Sequence, residues 1–130
     1  MIVVDASVIV AALGSDDVDG DLARQRLAGE RLAAPALLDL EVLSVLRRAT
    51  RRGLVDERRA RMVLADLSVM PLRRASHLPL MQRIWALREN VSAYDAAYVA
   101  LAEALSTTLL TADARLGRAS GVRCEVEVLG

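Results

Sequence analysis

Short apolar runs that stop on an acid or a proline alternate with helical stretches along this chain, and that alternation leaves few architectures open. Ile2-Val3-Val4 is a β-branched run halted by Asp5, and Ala6–Leu13 continues as a helix. Gly14–Gly20 reads as an acidic, solvated loop before a helix from about Asp21 to Leu27. Arg31–Ala34 is a candidate second strand, stopped by Pro35. Ala36–Arg52 is the longest helical stretch, with arginines in its last turns and Gly53 as its stop. Asp56 can cap a further helix to about Leu67, and Val69–Leu72 is a candidate strand despite Pro71. His77–Leu87 reads as a helix with Pro79 in its first turn, where a missing N–H is harmless. Ser92-Ala-Tyr-Asp95 resembles a capping box at the entry to an Ala-rich helix, Asp95–Leu105, and Thr107–Thr111 follows as a strand. Val122, Cys124, Val126 and Val128 alternate with charged residues, the pattern of a half-exposed strand at a sheet edge. Strands separated by helices imply an α/β fold, a parallel sheet with helices on both faces. A length of 130 residues without repeats or linkers suits one domain.

In such a sheet, ligand sites form beyond the carboxyl ends of the strands. Asp5 follows the first strand, Asp113 follows the Thr107–Thr111 strand, and Asp95 opens the helix that leads into that strand from the far side. Topology alone therefore brings three acids to one edge. Glu41 is the fourth: its helix carries Leu37, Leu38, Leu40, Val42, Leu43, Val45 and Leu46, so its carboxylate is expected on a mostly buried element. There a charge is costly unless it is paired or binds a metal. Asp39, roughly 200° away on the helical wheel, is expected to face solvent. Each aspartate also has a purely structural reading as a helix cap or first-turn acid. Several acids gathered together repel one another, and a hard divalent cation with oxygen ligands, Mg²⁺ or Mn²⁺, is the natural counter-charge.

Composition removes other chemistries. All 17 basic residues are arginine, balanced by 17 acids, so overall charge does not drive nucleic-acid binding and any contact must be local. Without lysine there is neither a P-loop nor a receiver-type phosphorylation site, and Ser7 stands where a dehalogenase-type phosphatase needs its second Asp. There is no nucleophile elbow. Asp17-Val-Asp19-Gly-Asp21 lacks the glycine and terminal glutamate of a calcium loop, with Leu22 and Ala28 in those places. Cys124 is single, which excludes a disulfide framework and fits a reducing cytoplasm; it reads as a core residue, and the solitary His77 as a loop or cap residue. No basic leader or membrane-length apolar run is present.

Four blocks carry a resemblance: Ile2-Val-Val-Asp5-Ala-Ser7, Leu38-Asp-Leu-Glu41 through Arg48, Ser92-Ala-Tyr-Asp95 through Leu101, and Leu110-Thr-Ala-Asp113-Ala-Arg-Leu116. In this order they resemble the motifs of PIN-domain nucleases, and in length the chain is most similar to the VapC-type toxins of bacterial toxin–antitoxin pairs. The resemblance implies a three-layer α/β/α sandwich and Mg²⁺- or Mn²⁺-dependent endonucleolytic cleavage of RNA. It also implies a homodimer and inhibition by a VapB-type antitoxin. Asp5, Glu41, Asp95 and Asp113 would be the catalytic, metal-binding acids, with Ser7 and Thr111 supporting them. A PIN-like module that binds RNA or protein without cutting is the rival reading.

Arg47, Arg48, Arg51 and Arg52 crowd the end of the long helix. They can complement its dipole, or contact phosphate or an acidic partner. With only Trp85, Tyr94 and Tyr98 as aromatics, base stacking is not expected to carry RNA affinity. The apolar sides of the first helices and of the Glu41 helix exceed what a small sheet covers, which suits a dimer interface.

Overall fold

The computed structural model describes all 130 residues. Its strands are β1 (Ile2–Val4), β2 (Leu32–Pro35), β3 (Leu72–Ala75), β4 (Leu109–Thr111) and β5 (Val126–Val128). They form one sheet in the order β3-β2-β1-β4-β5, parallel at every pairing. The helices are α1 (Ala6–Gly14), α2 (Val18–Leu27), α3 (Leu38–Arg51), α4 (Glu57–Val69), α5 (Met81–Ala86), α6 (Ala93–Ala104) and α7 (Ala114–Gly117). Helices α1 to α4 pack together on one side of the sheet, and α6, with α5 against it, packs on β1, β2 and β4. The result is the expected α/β/α sandwich, with a sheet that is wholly parallel.

Burial explains why the strands read as continuous apolar runs rather than alternations. Val3, Val4, Leu109 and Leu110 are completely buried, because helices cover both faces of the central strands. Without Phe, packing relies on Val, Leu, Ile and Ala, and the run Ala96–Ala102 of α6 is buried throughout. Tyr98 is the one aromatic within this core.

The chain steps from β1 to β2 to β3 in one direction, then returns across the sheet to β4 and continues outward to β5. The reversal lies between β1 and β4. Beyond the carboxyl ends of such a pair, the outgoing connections diverge and leave a crevice.

Several boundaries differ from the sequence expectations, each for a local reason. Helix α2 begins at Val18, inside the stretch read as a loop, because Asp17 caps it by accepting from the amides of Asp19 and Gly20. Gly20 is no breaker: a Cβ there would lie 2.1 Å from the Ser15 carbonyl oxygen, so glycine permits the α1–α2 turn to close. Helix α4 runs through Val69, and the third strand starts after Pro71, at Leu72 rather than Val69. The Leu78–Leu80 segment is a 3₁₀ turn around Pro79, with only the short α5 after it. The last strand is an edge strand, but it is limited to Val126–Val128. Val122 and Cys124 nevertheless pack against the core from irregular backbone, whereas Val128 is 40% exposed. No helix is long and apolar enough to cross a membrane.

Candidate active site

Asp5 leaves β1 in extended conformation and caps α1. Its Oδ1 accepts from the amides of Ser7 (3.1 Å) and Val8 (3.4 Å) and from the Ser7 hydroxyl, while Thr111 donates its hydroxyl to Oδ2. Thr111 is the one residue of polar or charged type that is fully buried, at the end of β4, the strand paired with β1. Its Oγ1 also accepts from the Asp113 amide at 3.0 Å, and Ser7 Oγ accepts from the Ala112 amide at 3.1 Å. These bonds tie the two strand ends together across the switch point. Ser7 and Thr111, the two hydroxyl residues singled out in the sequence, both donate to the Asp5 carboxylate. Burial pushes the Asp5 carboxyl above the ordinary carboxylate range, against the lowering effect of its hydroxyl and amide donors.

Asp113 follows β4 and caps the four-residue α7 through the Arg115 amide (2.9 Å). The Arg115 guanidinium reaches back to both of its oxygens at 3.2 and 3.0 Å and holds its carboxyl below the usual range. Asp95 lies in the first turn of α6, and the cap itself is Ser92, whose hydroxyl accepts from the Asp95 amide at 3.1 Å. Glu41 lies in the first turn of α3 and accepts from the Tyr98 hydroxyl at 2.5 Å. Burial raises the Glu41 carboxyl most; the Tyr98 bond opposes this, and the charges of Asp95 and Asp5 raise it further. The Tyr98 phenol is itself raised, by burial first and then by Glu41.

All four acids line one cleft of about 700 Å³, together with Ser7, Arg48, Tyr94, Tyr98 and Arg115. Each acid belongs to the N-terminal end of a different helix: α1, α3, α6 and α7. The positive ends of the helix dipoles therefore face the carboxylates and offset part of their mutual repulsion.

The helix that carries Glu41 is not mostly buried. Its buried stripe is Leu38, Val42 and Leu46, while Leu40 is 69% and Leu43 41% exposed; Glu41 stands half-buried beside that stripe, on the cleft wall with Leu37 and Val45. Asp39 does not simply face solvent, because Arg74 of β3 grips both its oxygens at 2.7 and 2.9 Å. Of the four arginines at the end of α3, only Arg48 reaches the cleft; Arg47, Arg51 and Arg52 are exposed elsewhere.

The donor set is all oxygen, with no imidazole, thiol or amine in the cleft, which fits a hard divalent cation. The carboxylates are not drawn into a closed cage: no three of them form a ready-made metal-holding group. Three of the four are instead turned to protein donors, Asp5 to Ser7 and Thr111, Glu41 to Tyr98, and Asp113 to Arg115. Sequence reasoning overlooked Tyr98 and Arg115 as functional groups. The signal for Tyr98 is its spacing from Asp95, three residues on, which puts both on one helix face.

A family model for the PIN domain matches residues 2–122. Ribonuclease VapC9 of Mycobacterium tuberculosis is 47% identical over 132 residues, covering 99% of this chain and 98% of its own. This chain is a PIN-domain protein of the VapC family. Among solved structures, FitAcB from Neisseria gonorrhoeae matches 97% of this chain and 96% of its own with a TM-score of 0.72. VapBC2 from Rickettsia felis, bound to a DNA fragment from their promoter, matches 100% of both chains with a TM-score of 0.67. Both are 16% identical to this VapC-family chain, so they speak for its fold alone.

Proposed function

We infer that this VapC-family protein is an endoribonuclease, the toxin of a type II toxin–antitoxin pair, with Asp5, Glu41, Asp95 and Asp113 as its catalytic acids. The observation that carries this reading is the convergence of the four carboxylates on one cleft at the β1–β4 reversal, two of them held above their ordinary pKa by burial. The full-length likeness to a protein named a ribonuclease supports RNA as substrate.

The Asp5, Glu41, Asp95 and Asp113 carboxylates would hold Mg²⁺ or Mn²⁺, which when bound supplies an acidified water and neutralises charge on a phosphodiester. Thr111 and Ser7 fix the Asp5 carboxylate through its two oxygens, and Tyr98 does the same for Glu41. Hydrogen-bonded supports of this kind orient a ligand and raise the precision of the site. Arg48 and Arg115 at the cleft margin are placed to receive phosphate oxygens of the substrate. A VapB-type antitoxin, named in the VapBC2 complex, and a second copy of the chain are the proposed protein partners, in the cytoplasm.

Analysis of the product ends tests this reading. Cleavage by an incoming water that attacks the phosphorus in line and expels the 3′-oxygen leaves a 5′-phosphate and a 3′-hydroxyl. Recovery of 2′,3′-cyclic phosphate ends would overturn the mechanism. Undiminished function in a variant lacking one of the acids would favour binding without cutting.

A further inference from the structure

All three aromatic side chains of this Phe-free chain stand at the cleft or beside it. Tyr98 is buried under Glu41, but Trp85 and Tyr94 are 68% and 65% exposed. They border a concave groove of about 680 Å³ that adjoins the acidic cleft and shares Leu37 and Tyr94 with its wall. Along this groove Arg88 lies over the Trp85 ring, its guanidinium carbon 4.6 Å from the ring centroid. That is within the ~6 Å reach of a cation–π contact. Arg88 also donates to the Trp85 carbonyl at 3.0 Å and lies 4.0 Å from Glu89. A flat indole with a positioned cation on one face thus opens beside the carboxylates.

We propose that Trp85, Tyr94 and Arg88 form a base-binding subsite for single-stranded RNA next to the scissile phosphodiester, a proposal that rests on the ribonuclease reading. The exposed rings stack a base flanking the cleavage point, and Arg88 meets a neighbouring backbone phosphate. Two features favour RNA over a protein surface as occupant of this concave, largely apolar groove. Its cation complements a phosphate chain. It is continuous with the cleft in which that chain would be cut. The scarcity of aromatics argues against stacking only if they are scattered, and here they are gathered at one place.

Trp85 is the single tryptophan, so its fluorescence reports directly on the subsite. The test titrates a labelled random-sequence single-stranded RNA oligonucleotide into Asp5→Asn protein, following label anisotropy and Trp85 emission together. Quenching of Trp85 in step with binding is expected. In the same background, Trp85→Ala is expected to weaken binding about tenfold, in the range of one stacked base, with Trp85→Phe restoring most of it. In the otherwise wild-type enzyme, Trp85→Ala should raise KM with little change in kcat. Binding without any change in Trp85 emission, or no binding by a protein whose wild-type form cleaves RNA, would overturn the subsite and leave the ribonuclease reading standing. Emission that follows protein concentration alone, with a dimer lost in Trp85→Ala, would overturn it in favour of a contact between copies. Failure of the wild type to cleave RNA at all would instead remove the reading beneath it.

Discussion

At the scale of single residues, the cleft is a place where stability is given up for chemistry. Glu41 has a pKa above its unfolded value, through burial and the nearby Asp95 and Asp5 charges. Between the unfolded Glu value of about 4.3 and that raised value, the folded state holds more protons than the unfolded chain, so stability falls as pH rises through this window. Glu41→Gln keeps an oxygen for the Tyr98 hydroxyl and removes the charge. In the absence of divalent cations it is expected to melt at a higher temperature than wild type at pH 7, with the gap narrowing as pH falls towards 4. Thermal melts across pH check this, and a gap that widens at low pH would contradict it. Thr111→Val removes the hydroxyl that bridges Asp5 and the Asp113 amide. The expected loss of activity is roughly 10–100-fold, the usual effect of removing a group that orients a ligand. Asp5 and Asp113 each cap a helix as well as lining the cleft, so a structural role and the proposed functional one are compatible in the same side chain. Topology led sequence reasoning to Asp5, Asp95 and Asp113, which follow strands or open the helix between them, whereas Glu41 was singled out by its apolar helix and by the family resemblance. Sequence reasoning did not pair Tyr98 with Glu41, which lies 57 residues away on another helix, nor Arg115 with Asp113, where an arginine two residues after a cap has no distinctive spacing.

At the scale of elements, the misread segments are those where one close contact overrides a local preference. Gly20 looks like a loop residue, yet it lies inside α2 and allows the helix to meet the end of α1. Gly20→Ala improves helix propensity and is still expected to destabilise the protein by about 1–3 kcal/mol, as overpacking does. Chemical denaturation measures this directly; a stabilised variant would show that α2 does not need the approach. Ser92 accepts from the Asp95 amide and thereby sets the first turn from which Asp95 projects. Ser92→Ala should cost about 1 kcal/mol of stability. The buried strands were legible as apolar runs between breakers, whereas the limits of β3 and β5 were not. Those are the sheet's edge strands: β3 is half-exposed and carries Arg73 and Arg74, and the alternation that marks β5 begins at Val122, before the three residues that pair.

At the scale of the whole molecule, the order β3-β2-β1-β4-β5 accounts for the site, because the reversal between β1 and β4 opens a crevice where Asp5 and Asp113 stand. Four helix N-termini then surround it. Much of this was legible in the spacing of strands and acids; the distribution of the arginines was not, since only Arg48 of the cluster on α3 faces the cleft. If the carboxylates hold a cation, its binding energy must appear as global stability. At a hundredfold excess over Kd, Mn²⁺ should add about 2.7 kcal/mol to wild type and much less to Asp5→Asn. The most direct measurement is cleavage of total cellular RNA by the purified protein with Mg²⁺ or Mn²⁺, beside EDTA and Asp5→Asn. Discrete products that fall more than about 100-fold in both controls are expected, since losing a primary carboxylate should cost more than losing its orienting partner. Products that persist undiminished in EDTA or in Asp5→Asn would contradict a carboxylate–metal centre in this cleft.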